Sequence, residues 1–166
     1  DAVPAPHFSD GQNCRSCHGD PGTATENRPR TTADACVDCH RPEYGEVLDW
    51  WREGVGDRSR MVEGYLSRAE SALGPGAAGL AEARGLLELV REGTGAHNLP
   101  LTHRLFRAAL ARAAEAYEVA GRRPPRPPGL GRAPREGLCT YCHYRVNEPG
   151  LTEEMDDAFH RAVMGR

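Results

Sequence analysis

The chain has 166 residues, the length of one domain, and its 21 basic residues (all arginine) against 24 acidic ones leave a net charge of −3. That balance excludes a nucleic-acid binder built on a basic face, and no apolar run approaches the ~18 residues that cross a bilayer. Leu, Val and Phe total 26 and Ile is absent; the resulting share of roughly 16% lies under the ~20% of ordinary globular chains, while the charge is too low for disorder to follow, so something besides aliphatic side chains is expected to complete the core. The absence of Lys and Ile reads as the codon bias of a GC-rich genome. A start at Asp1, with no initiator Met and no signal segment, fits a mature exported chain.

In chain order, residues 1–42 read as a loop-rich arm in which Pro, Gly, Thr and Asn favour turns. The arm carries His7, then Cys14-Arg15-Ser16-Cys17-His18, and a 22-residue repeat later Cys36-Val37-Asp38-Cys39-His40. Residues 45–120 read as a helical scaffold. Val47, Leu48, Trp51, Met61, Val62, Tyr65, Leu66, Ala69 and Leu73 recur at helical spacing, with Gly54 and Gly56 as a break and Gly74-Pro75-Gly76 as the stop. Leu80, Ala83, Leu87 and Val90 mark a second helix. Leu101, Leu105, Phe106, Ala109, Leu110, Ala113 and Tyr117 mark a third, with Gly93 and Gly95 stopping its predecessor and Pro100 opening it. Trp50, Trp51 and Tyr65 are core aromatics or stacking surfaces for a flat ligand. Residues 121–135 form a basic, polyproline-like connector, a linker or a docking arm for an acidic partner. Residues 136–166 hold Cys139-Thr140-Tyr141-Cys142-His143 and a short helix bearing His160.

All six cysteines therefore fall into three Cys-x-x-Cys-His units. Cys14, Cys17, Cys36 and Cys39 alone would suit zinc, and six thiols could make disulfides. Neither explains the histidine after every second cysteine. With seven His in the chain, three such coincidences at about 4% each fall on the order of 10⁻⁴, whereas the unit is the attachment pattern of c-type haem. Two thiols at this spacing form thioethers to the porphyrin, and the adjacent imidazole reaches the iron.

On these motifs the chain resembles the multihaem c-type cytochromes. The resemblance implies a single trihaem domain, mainly α with extensive loops and little or no β-sheet. Three haem c groups would form its core, and the haem-free chain would be largely unfolded. Cys14, Cys17, Cys36, Cys39, Cys139 and Cys142 would tether the haems, with His18, His40 and His143 as proximal iron ligands. Four histidines remain for three distal positions. Gly95-Ala96-His97-Asn98 resembles the distal-ligand segment of several multihaem families, including the helical part of the pentahaem nitrite reductases, so His97 leads. His160 and His7 follow, and His103 is the spare, structural or bonded to a propionate. Met61, Met155 and Met164 read as packing residues.

Iron with an imidazole on each side has no open site for substrate, so the function implied is electron transfer rather than catalysis. Arginines are natural partners for haem propionates. Maturation of such proteins outside the cytoplasmic membrane implies a periplasmic or extracellular location. Partners would be redox proteins or extracellular electron acceptors, or further copies of the chain in a filamentous nanowire, with His7 reaching across to a neighbour's haem. The alternatives are a small reductase with one open iron, from which the catalytic lysine of the nitrite reductases is missing, and a haem-based sensor.

Overall fold

The computed structural model describes residues 33–37, 42, 44–96 and 98–131. Over these residues the chain is mainly helical and has no strand, in keeping with the α character of the sequence. In order come α1 (Ala33–Val37), α2 (Tyr44–Leu73), α3 (Leu80–Leu89) and α4 (Leu99–Val119). A π-helical turn, Val90–Thr94, continues α3 directly. Among these helices none is long and apolar enough to cross a membrane.

The expected break in α2 does not occur: its 30 residues run unbroken through Gly54 and Gly56, a length of about 45 Å. Each glycine costs the helix about 1 kcal/mol relative to alanine. Several local features offset that cost. Gly54 is buried, and its carbonyl accepts from Nη1 of Arg58 at 3.0 Å. On the outer side, Asp49–Arg52 and Asp57–Arg60 pair one turn apart, each adding a few tenths of a kcal/mol. The stop is where the sequence places it. Gly74 takes φ 89°, and its N–H donates to the Glu70 carbonyl at 2.8 Å, closing α2 with a left-handed residue that glycine adopts without strain.

The start of α4 rests on Asn98, whose Oδ1 accepts from the Leu101 N–H at 3.1 Å, with Pro100 in the first turn. Gly95 plays a different part from the one expected. Its φ of −53° is ordinary right-handed helix, so it is needed for space: a Cβ there would lie 2.7 Å from Cγ1 of Val55. The Gly95 carbonyl in turn accepts from Oγ1 of Thr102 at 2.9 Å. This bond and the cap fix the rotation of α4. Leu101, expected inside, is 43% exposed, while Thr102 and His103 are buried.

α4 packs against both α2 and α3. Val62, Tyr65, Leu66 and Ala69 of α2, Leu80, Ala83 and Leu87 of α3, and Phe106, Ala109, Ala113 and Tyr117 of α4 form one buried cluster. The alanines let the helix axes approach, and each large apolar side chain contributes about 1.5–3 kcal/mol. The helical unit thus closes a core with its own side chains. Tyr65 belongs to this core with no exposed surface and is not a stacking platform for a cofactor; Trp50 and Trp51 are half-buried.

The described part of the Pro-rich connector, residues 121–131, is a strap laid along the bundle. Arg122 donates to the Ala72 carbonyl. The Tyr65 hydroxyl donates to the Pro125 carbonyl at 3.1 Å. Nε of Arg58 donates to the Leu130 carbonyl at 2.8 Å, and Leu130 joins the core at 7% exposure. On the opposite seam, Arg84 of α3 forks onto both carboxylate oxygens of Glu70 at 2.7 and 2.6 Å and also reaches Glu63. Arg91 joins Glu63 at 2.7 Å. The bonds from Arg84, foremost, hold the Glu63 and Glu70 carboxyls below the usual carboxylate range.

Candidate functional site

Of the thirteen cysteines and histidines, two are among the described residues with their surroundings: Cys36 and His103. Cys14, Cys17, Cys39, Cys139 and Cys142 lie outside them, as do His7, His18, His40, His97, His143 and His160. Cys36, the first cysteine of the second motif, is half-buried on α1, and α1 packs against α2. That contact anchors the first cysteine of the second motif to the bundle. Among the described residues, no group of three or more His, Cys, Asp or Glu converges as a metal site.

The two sides of His97 are fixed. Before it, the π-helical turn ends at Gly95, which is held by Val55 and Thr102. After it, Asn98 caps α4. Short π-helical turns recur where a helix is re-aimed at functional positions.

His103 is the surprise of the bundle. It sits one turn into α4, 3% exposed, and forms part of the lining of a cleft of about 370 Å³. One wall of the cleft is a stripe of α4: His103, Arg107, Leu110, Ala111 and Ala114, successive turns spanning about 16 Å. The other wall is the strap: Pro127, Pro128, Leu130 and Gly131. Burial, and then the positive charges of Arg58 and Arg107, push the imidazole pKa down from 6.5 to about 4. The ring is therefore neutral at pH 7, the form that can bind a metal. Arg107, exposed at the rim, offers a guanidinium to an anionic group; Arg58, at 1% exposure, fastens the strap from behind.

Neither Arg58 nor this cleft figures in the sequence reading, although Arg58 carried a signal. It falls between Val55 and Val62 on the stripe that leads to Tyr65 and Ala69, an apolar spacing in which an arginine must be buried or break the pattern. The strap wall had a weaker one, Leu130 alone among prolines and glycines.

No family model, curated protein or solved structure matches the chain.

Proposed function

We propose that the protein is an exported electron-transfer protein that carries three covalently attached haem c groups. The observation that carries this reading is the threefold Cys-x-x-Cys-His unit, which uses every cysteine in the chain. Cys14 and Cys17, Cys36 and Cys39, and Cys139 and Cys142 would hold the groups, with His18, His40 and His143 as their proximal ligands. Haem iron ligated by two imidazoles supplies one-electron chemistry at low potential, without a free position for substrate.

Three features of the structure fit that group. The Cys36 thiol stands on a helix braced against α2. A neutral imidazole lines an apolar cleft with a guanidinium at its rim. The helical unit supplies a rigid scaffold to which the motif-bearing segments on either side connect. In this reading the bundle positions ligands and shields haem faces, and its arginines set the charge around propionates, which tunes potential.

The test is the mass and absorption of protein made in a host with c-type maturation machinery. Three haems per chain, retained after denaturation and low-spin in the native state, are expected. A colourless protein with the mass of the bare polypeptide refutes the reading.

A further inference from the structure

We propose that the cleft between α4 and the strap seats one of the chain's own haems and that His103 is an axial ligand to its iron. The inference rests on the haem reading above and assigns a residue that the sequence alone sets aside as the spare.

Four observations lead to it. First, His103 is almost wholly buried, yet it forms part of the lining of a cleft rather than being enclosed on every side by core residues. Second, the cleft is apolar and built from small or flat groups, Ala111 and Ala114 facing Pro127 and Pro128. Such walls accept a planar ring, and the volume falls in the range of about 300–1,000 Å³ that ligand sites occupy. Third, Arg107 stands one turn from His103 on the same lining, where a guanidinium meets a carboxylate at the edge of the ring in a charge-assisted bond. Fourth, the chain itself delivers a haem. Gly131 lies in the cleft wall, and Cys139 follows eight residues later, a stretch that can span at most roughly 26–29 Å. The haem assigned to this cleft is that of the third motif, which is the nearest of the three along the chain to the strap wall.

The arithmetic of ligands changes accordingly. Three irons with proximal histidines need three more imidazoles. With His103 in the set, one of His7, His97 and His160 becomes the surplus.

The decisive measurement is made on the intact, haem-loaded wild type. In the oxidised protein the His103 ring resonances should carry the large hyperfine shifts of an iron ligand; ordinary diamagnetic positions overturn the proposal. The variant His103→Ala should keep three haems by mass, lose one of three low-spin centres, and recover it when imidazole is added. His103→Met should leave three six-coordinate irons and raise the potential of one of them. Three unchanged low-spin centres in H103A, or three unchanged potentials in H103M, overturn it. In a Cys139→Ala/Cys142→Ala background, H103A should change nothing further, and an effect that persists there refutes the assignment to the third motif. A wild type without haem sinks the electron-transfer reading, whereas a haem-loaded wild type with diamagnetic His103 sinks the ligand assignment alone.

Discussion

Gly95→Ala puts the corner before His97 under a measurable load. The new methyl carbon would lie 2.7 Å from Cγ1 of Val55 and 3.3 Å from the Val90 carbonyl oxygen, and neither neighbour is the free end of a flexible side chain. Overpacking of this kind costs about 1–3 kcal/mol. Against it stands a gain: at φ −53° and ψ −53° alanine is unstrained, and it lowers the entropy of the unfolded chain by about 0.4–1 kcal/mol. The net expectation is a loss of about 1–2 kcal/mol. Urea unfolding of the wild type, G95A, Val55→Ala and the double variant isolates the clash, because removing Cγ1 of Val55 removes the obstacle. The cost of G95A should shrink by about 1 kcal/mol or more in the Val55→Ala background, a coupling of the size seen for residues in contact. A G95A protein as stable as the wild type, or one whose loss is the same in both backgrounds, refutes the close-approach account of this glycine.

Arg58→Met should destabilise the protein by about 2–3 kcal/mol, since the Leu130 carbonyl loses a charged donor in a buried position; faster tryptic cleavage after Arg122 would register the loosened strap, and unchanged cleavage would contradict it. In the haem-free chain, His103 binds its proton more weakly folded than unfolded, so its contribution is complete above pH 6.5 and is lost as pH falls towards 4, by roughly 3 kcal/mol in all; His103→Gln should flatten that part of a stability–pH curve. Glu63 and Glu70 have lowered pKa values, so their contribution is complete above the usual carboxylate range and fades below it as pH drops through the folded-state values; Arg84→Met should remove this lower limb and leave the His103 limb intact. A chain with all six cysteines replaced by alanine should still show the circular dichroism of a packed helical unit and unfold cooperatively, and a spectrum of random coil would show that the bundle depends on its cofactors.

Much of the bundle was legible because its signals are local. The Leu80, Ala83, Leu87 stripe and the Gly74-Pro75-Gly76 stop depend on periodicity and on a left-handed turn, both of which a sequence displays. The continuity of α2 through Gly54 and Gly56 was not legible, because the burial of Gly54 and the Arg58 bond to its carbonyl are features that no propensity scale contains. The buried face of α4 was legible at Phe106, Ala109, Leu110, Ala113 and Tyr117 but not at Leu101 in its first turn, for a similar reason. Leu101 is the more apolar residue, but Asn98 capping and the Thr102 bond to Gly95 set the helix phase and turn His103 inward. The Cys-x-x-Cys-His units needed no structure to be noticed, since their spacing and their threefold recurrence are written in the chain itself. The cleft beside His103 needed one, because its two walls, one on α4 and one on the strap, are brought together only by the way residues 121–131 lie back along the bundle.

Arg84, clasped by Glu63 and Glu70, has a thermal consequence. The hydration of charged groups becomes less favourable on heating, so the penalty for drawing such ions together falls as temperature rises, while apolar burial gains little more per unit area. The α2–α3 seam, modest at room temperature, should therefore carry a growing share of the cohesion in hot surroundings, and it gives the protein a reserve against heat that its sparse aliphatic content does not.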